Sequence, residues 1–330
     1  MKKTVLLCLV AALLTASLFA QGKAETATAT SGEKVYKVGI SKLLPHPALD
    51  AAEKGMMDYL ATTGLKCTFD QQNANGDIST AASIAQKFKS DKDDIVVGIA
   101  TPTAQALANV FSDIPVVFSA VTDPASAGLT ANNVCGVSDS NPVESQIKLL
   151  ADVTGCKTVG NIYASGEANG VVLMEDAKAA CEKLGLGFVT VAISNTSEVK
   201  MACQSIIDRV DAVYIATDNA VISALPSVDD VCKKAKKPLF SSDPSGVDGL
   251  SFLISWGFNY YSVGKATGKA VEQALKGTAP KTIGTVYLTD PKDFELWFNL
   301  DTAKALGYTI DQKYLDMAAV IIQDGKKIQK

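Results

Sequence analysis

The sequence of 330 residues contains one histidine, His46. A single imidazole cannot build most metal centres, and it leaves one candidate base for the usual hydrolytic triads. Cations are also scarce: 31 Lys plus Arg stand against 35 Asp plus Glu, a formal charge of −4 with pI near 5.2. Nucleic-acid binding needs clustered cations to meet phosphates, so no nucleic-acid partner is expected. There is no G-x-S-x-G elbow, G-x-x-x-x-G-K-[ST] loop, G-x-G-x-x-G turn or H-E-x-x-H helix. Each of those motifs places a specific reacting or phosphate-binding group, so their absence removes the common enzyme classes. The adjacent carboxylates Asp93-Asp94 and Asp229-Asp230 fall in amphipathic or pre-strand contexts and read as solvated charge, not as a glycosidase pair. No catalytic residue, metal or cofactor is expected, and the chain is not expected to be an enzyme.

Long apolar runs are confined to the N-terminus. Lys2 and Lys3 precede the apolar stretch 4–19, and small polar residues follow Ala20. That order is the order of a secretory signal peptide, 1–20, cleaved after Ala20 or, alternatively, after Ala24. The run is about 16 residues, short of the ~20 that span a bilayer. The mature chain is then exported, periplasmic and soluble, and loss of Lys2 and Lys3 takes its formal charge from −4 to −6. Cys8 lies too near Met1 to be a lipidation site. The remaining cysteines, Cys67, Cys135, Cys156, Cys181, Cys203 and Cys232, contain no C-x-x-C pair, which argues against zinc. An exported chain permits disulfides, with Cys156–Cys181 the most plausible pair; the alternative is that these are small buried hydrophobes.

What is abundant is alternation. Apolar residues make up 47% of the chain, enough for a large core, and at roughly 150 residues per domain the length suggests about two domains. After a polar linker, 21–34, the segment VYKVGIS reads as a buried strand. DAAEKGMMDYLATTG follows as an amphipathic helix stopped at Gly64. LKCTFDQ, DIVVGIAT and PVVFSAVTD read as further strands, with helices STAASIAQKFKS and PTAQALANVF between them. Apolar strands alternating with helices predict a parallel sheet covered on both faces. The pattern then restarts. Val38-Gly39 and Val159-Gly160 are 121 residues apart, as are Gly64-Leu65 and Gly185-Leu186, and Ile99-Ala100-Thr101 matches Ile215-Ala216-Thr217. Ordered matches at nearly constant offset predict two similar α/β halves.

Parallel sheets place ligands at the carboxyl ends of their strands. In the first half those ends carry Ser41, Thr101, Thr103, Thr122 and Asp123; in the second they carry Ser165, Glu167, Thr217, Asp218, Asn219 and Asp243. If the halves face each other, these residues line one cleft. Hydroxyls and free N–H groups suit a carboxylate and acidic side chains suit an ammonium, a combination that fits an amino acid. The same residue types are also the favoured helix caps. Trp256, Tyr260 and Tyr261 could stack on an aromatic ligand or pack at a hinge. His46, between Pro45 and Pro47, reads as a rigid loop residue in preference to a ligand contact.

The segments HPALDAAEKGMMDYL, TPTAQALAN, FSAVTDPASAGL, GVSDSNPVESQIKLL, NIYASGEAN and YIATDNAVISALPSV resemble the substrate-binding proteins of ABC transporters. YYSVGKATGKAVEQALKG and NLDTAKALGYTI fit the C-terminal part of that family. The likeness covers nearly all of 35–330 and is greatest to the branch associated with tryptophan and tyrosine. It implies the type I periplasmic-binding fold: two doubly wound parallel-sheet lobes joined by three crossings near 138–142, 256–260 and 281–286. Lobe 1 is expected to hold 35–140 plus 259–283, and lobe 2 to hold 141–258 plus 284–330. The family likeness implies a ligand between the lobes, contacts from the loops above with Asn169 and Trp256 added, hinge closure, and delivery to an ABC permease by a monomer. A ligand-sensing receptor or surface adhesin with the same fold is the alternative. One departure stands beside Trp256: Gly257-Phe258-Asn259-Tyr260-Tyr261 replaces the family's Gly-Ile-Asp-Tyr-Tyr, which bears on ligand choice.

Overall fold

Strand β1 (Val35–Lys42) opens the folded chain, and a computed structural model describes residues 34–330. The expected signal peptide and nearly all of the linker lie outside the described residues. β2 (Lys66–Asn73), β3 (Ile95–Ile99), β4 (Val116–Ser119) and β5 (Val134–Ser138) follow, each separated by a helix or a turn. They form a sheet in the order β2-β1-β3-β4-β5, parallel throughout. The fully buried sequences IVVGI and VVFS at its centre are what a sheet covered on both faces requires.

The second half repeats the arrangement. β6 (Thr158–Ala164), β7 (Gly187–Ile193), β8 (Ala212–Ile215), β9 (Leu239–Ser241) and β10 (Ile254–Phe258) stand in the order β7-β6-β8-β9-β10, again parallel. The sequence repeat is a repeat of register. Val38 and Gly39 pair with Ile95 and Val96, as Val159 and Gly160 pair with Ala212 and Val213. Alternation along β8 sends Val213 and Ile215 to one core, with Phe252 and Trp297, and Tyr214 to another, with Phe240 and Phe298.

Four more strands complete the sheets. β11 (Thr285–Tyr287) joins the first sheet beside β5 in parallel, whereas β12 (Phe294–Asn299), β13 (Val320–Gln323) and β14 (Lys326–Gln329) extend the second. β12 runs antiparallel to β10 and β14 antiparallel to β13, so the second sheet is mixed at this edge. The chain enters β12 beside the end of β10 and must run back along it. The expected third crossing at 281–286 moves accordingly. Thr285–Tyr287 is hydrogen-bonded to Gly136–Ser138 and belongs to the first sheet, so 284–287 leaves the second half and the chain crosses at 288–293. The other passages between sheets fall at 139–142 and 259.

The helix Pro47–Thr62 starts three residues before the expected Asp50, because proline is pre-shaped for the first turn and its missing N–H costs nothing there. Across it lies the helix Tyr260–Leu275, which brings the chain back from the second sheet to the first. The two helices touch backbone to backbone. A Cβ at Gly55 would lie 2.2 Å from the Tyr261 carbonyl oxygen, and one at Gly264 would lie 2.1 Å from that of Ala52. Tyr59 donates to Glu272, Tyr261 donates to Asp58, and Ser119 and Thr267 share a buried hydrogen bond. The six cysteines among the described residues are free thiols, and the expected Cys156–Cys181 bridge is not formed. Both residues are buried with Ile147, Leu150 and Ala177, where cysteine serves as a small apolar side chain.

The glycine contact yields a direct test. On an open helix face Gly→Ala stabilises by about 1 kcal/mol. Here Gly264→Ala forces the helices apart, and urea melts are expected to show a loss of about 1–3 kcal/mol. An unchanged or raised midpoint would show that the close approach is not required.

Candidate functional site

The carboxyl ends of the strands from both sheets converge on one enclosed space of about 10 Å³, room for roughly one water molecule, so a larger guest needs the two halves to part. From the first half come Thr122 and Ala120, after β4, and His46 and Leu49 at the start of the Pro47–Thr62 helix. From the second come Asn169, Thr217, Asp218, Asn219, Ile222 and Asp243. The crossings add Asp139 and Tyr260.

Two observations mark this place as more than a seam. Ala100 and Ala120, at the ends of β3 and β4, hold φ of +82° and +55°, the left-handed region that alanine avoids. Strain of this kind costs about 1–3 kcal/mol per residue and gathers at functional sites. Beside them, polar atoms are buried without partners: Ser41 Oγ, Thr101 Oγ1, both ring nitrogens of His46 and Asn169 Oδ1. Buried polar groups are nearly always hydrogen-bonded, so donors and acceptors left over on both halves point to a polar ligand.

The electrostatics are one-sided. Among the described residues, no lysine or arginine lines the space, while Asp139, Asp218 and Asp243 do. Asp218 accepts from the Ala164 N–H at 2.6 Å and the Val221 N–H at 3.1 Å. Burial, and then the charge of Glu167, push its carboxyl up to about 7. Glu167 accepts from Asn219 Nδ2 at 2.5 Å and from the Ala220 N–H at 3.1 Å, and burial raises it too. Asp139 accepts from Tyr260 Oη at 2.8 Å and Thr122 Oγ1 at 3.2 Å; burial lifts it to about 6. Asp243 spends one oxygen on Ser245, accepting from its N–H and hydroxyl. Burial lowers the His46 imidazole below its usual range, against the opposing charge of Asp243. A space walled by carboxyl groups without a cation favours a guest that carries positive charge.

The crossings are fastened from both sides. Gln146 donates to the Trp256 carbonyl at 2.6 Å and accepts from Tyr214 Oη at 2.7 Å and Ser242 Oγ at 3.2 Å. Asn141 reaches Thr217 at 3.4 Å. Asn259, the departure from the family pattern, caps the helix Tyr260–Leu275 by accepting from the Ser262 N–H, and its amide donates to Glu295 Oε1 at 2.7 Å. An aspartate in that position could not make the second bond.

Of the residues picked out in the sequence, Thr122, Asn169, Thr217, Asp218, Asn219 and Asp243 are brought together at this space. Glu167 stands behind Asn219, and Ser41 and Thr101 are buried behind the lining with free hydroxyls. The others are elsewhere. Thr103 donates to the carbonyls of Ile99 and Ala100 within its own helix. Asp123 caps a turn through Ala125 and Ser126. Ser165 is exposed and donates to the Ile193 carbonyl. Trp256 pairs with Leu296 and lines a separate hinge-side groove of about 790 Å³ with Pro142, Phe294 and Met317. His46, Asp139 and Tyr260 were not among the expected contacts. The two prolines around His46 were the available signal, since they fix the backbone of the only imidazole in the chain.

Residues 37–322 match the family described as ABC transporter substrate binding protein. A tyrosine-binding protein of Clostridioides difficile is 35% identical over 288 residues, 84% of this chain and 82% of that protein. Among solved structures, a Streptococcus pneumoniae ABC domain in complex with L-Trp is 34% identical, with TM-score 0.82 over 88% of this chain and 100% of that one. A ligand-free, open substrate binding protein with adhesive properties from Clostridium difficile is also 34% identical, with TM-score 0.63 over 84% of this chain and 96% of that one. At equal identity the chain superposes better on the tryptophan complex than on the open protein.

The raised carboxyls set the pH response. A carboxyl whose folded pKa exceeds its unfolded value binds more protons when folded. Its contribution is complete below about 4 and is lost as pH rises through about 6 for Asp139 and about 7 for Asp218. The lowered His46 acts in the opposite direction, adding stability as pH rises. With two raised carboxyls against one imidazole, thermal melts without ligand are expected to show Tm falling from pH 5 to pH 8, less steeply in Asp139→Asn. A Tm rising across that window, or equal slopes, would refute the assignment.

Proposed function

The chain belongs to the ABC transporter substrate binding proteins, which bind a small ligand for an ABC transporter; from that premise we propose that its ligand is an α-amino acid with an aromatic side chain, tyrosine or tryptophan. The observation that carries this reading is the enclosed space between the sheets, with unpaired donors and acceptors on both halves and carboxyl groups in place of cations. The ammonium pairs with Asp243 and Asn169 Oδ1. The carboxylate lies toward the ends of β1 and β3, where the hydroxyls of Ser41 and Thr101 are free and the Thr101–Ala108 helix begins. The tyrosine and tryptophan named for the two relatives support the aromatic class.

Each sheet with its helices acts as a lobe: 35–140 with 259–287, and 141–258 with 288–330. The passages at 139–142, 259 and 288–293 form the hinge. Ligand touching both lobes favours the closed state, because only that state makes both sets of contacts. The closed protein then delivers its ligand to a membrane permease. The residue order of 1–20, that of a signal peptide, supports export, and the mature chain is proposed to act as a soluble monomer. Among the described residues no helix is long and apolar enough to cross a membrane. Catalysis is no part of this reading.

The test is a thermal-shift screen of refolded 21–330 against amino acids, nucleosides and sugars, refolding being used to strip any retained ligand. At 100 times its Kd a ligand adds roughly 2.7 kcal/mol, a rise of about 5 °C or more. The shift is expected with tyrosine or tryptophan, and Asp243→Asn is expected to weaken binding at least tenfold. A response confined to sugars or nucleosides would overturn the ligand class.

A further inference from the structure

We propose that His46 is the specificity-determining residue of this site, its imidazole hydrogen-bonding a polar group on the ligand's side chain: the phenol O–H of tyrosine or the indole N–H of tryptophan. The inference rests on the aromatic amino-acid reading above and goes beyond it, because it says which aromatic side chains are admitted.

His46 occupies the N-cap of the Pro47–Thr62 helix with extended backbone, φ −154° and ψ 159°, but its side chain makes no capping bond. Its carbonyl accepts from the Asp50 N–H, so the backbone is used and the ring is not. His46 is 8% exposed and lines the enclosed space; neither ring nitrogen makes a hydrogen bond of good geometry, and the Asn219 side chain stands beside the ring. Pro45 and Pro47 restrict the backbone on both sides and hold it there. Burial lowers its pKa, so the ring is neutral at neutral pH and offers one donor and one acceptor.

The charged ends of an amino acid have better partners than a neutral imidazole. The ammonium is matched by Asp243, and a carboxylate set on the imidazole would meet the charge of that same Asp243, whose field His46 feels. What remains for the ring is a neutral polar group. Leu49 and Ile222 line the same space and suit the body of an aromatic ring. Phenylalanine fills the same volume and leaves the imidazole unpaired in a closed site. Sites built to hydrogen-bond a substrate group reject the analogue that lacks it.

The experiment is calorimetric titration of refolded 21–330 with tyrosine, tryptophan and phenylalanine, for the wild type, His46→Phe and His46→Gln. The wild type is expected to bind tyrosine or tryptophan at least tenfold more tightly than phenylalanine. In His46→Phe that ratio is expected to fall to within about threefold, while His46→Gln, which keeps a donor and an acceptor, retains a preference. The ratio is the readout, since a merely structural role would weaken all three ligands alike. A wild type that binds phenylalanine as well as tyrosine and tryptophan overturns the proposal without any variant. So does an undiminished ratio in His46→Phe. Should that variant not fold, the wild-type ratio and His46→Gln still decide: loss of the preference in His46→Gln with binding otherwise intact counts against hydrogen bonding. Absence of binding by all three ligands overturns the amino-acid reading and this inference with it, which separates that failure from a failure of His46 alone.

Discussion

Carboxyl groups buried without a cation are the constraint around which the two halves are arranged. Asp139, Asp218 and Glu167 each take backbone N–H groups, amides or hydroxyls as partners in place of lysine or arginine. Those partners come from the strand ends and crossings, so the acidic groups also fix the loops that carry them. Asp218 shows this most directly: its two oxygens hold the Ala164 N–H at the end of β6 and the Val221 N–H of the helix it caps, tying two strand ends of one sheet together. Hydrogen bonds of this kind orient the carboxyls without cancelling their charge. Burial leaves Asp218 partly protonated near neutral pH, and a positively charged guest favours the carboxylate and offsets what the protein leaves uncompensated.

That arrangement needs halves able to part and return to one register. The passages between sheets are short, and each half has its own core. Moving one half against the other therefore need not disturb packing inside either. The helix Tyr260–Leu275 makes the second passage firm. Its backbone contact with the Pro47–Thr62 helix at Gly55 and Gly264 binds it to the first half, while Asn259 at its start is bonded to Glu295 of the second. Tyr260, the first residue of that helix, donates to Asp139 on the first passage and lines the enclosed space. Two of the three passages thus meet at one hydrogen bond beside the site.

Much of the fold was legible in the sequence because parallel sheets write themselves as apolar runs. IVVGI and VVFS could hardly be anything but central strands, and the Val-Gly repeats fell at equivalent rungs of the two sheets. β11 was not legible. Three residues, TVY, become a strand only because the edge of β5 is free to accept them, a tertiary fact with no local signature. The site was half legible for a related reason. Strand ends are rich in Ser, Thr, Asp and Asn whether they bind ligand or cap helices, since both tasks ask a short side chain to meet N–H groups. Thr103 and Asp123 turned out to serve the backbone, while Asp243, Thr217 and Asn169 reach the enclosed space. Trp256 was singled out as an aromatic that could stack on ligand or pack at a hinge; strand pairing sets it opposite Leu296, on the hinge-side groove.

The single histidine follows the reverse logic. Residue-type frequencies argue that an isolated imidazole between prolines is a loop element, and the backbone at Pro45–Pro47 does behave as one. The structural observation that changes its meaning is an absence of internal partners. Every other large polar side chain on the lining makes at least one well-formed hydrogen bond within the protein; His46 makes none, with only the Asn219 side chain beside it, although it sits at a helix start where a shorter side chain would have capped. A serine or aspartate at that position would have satisfied the helix and faced away from any guest. The imidazole makes no bond to the first turn, and it lines the space with Asn219 and Asp243 of the other half beside it. Specificity for a neutral polar group then follows from the choice of a residue that cannot be consumed by its own helix.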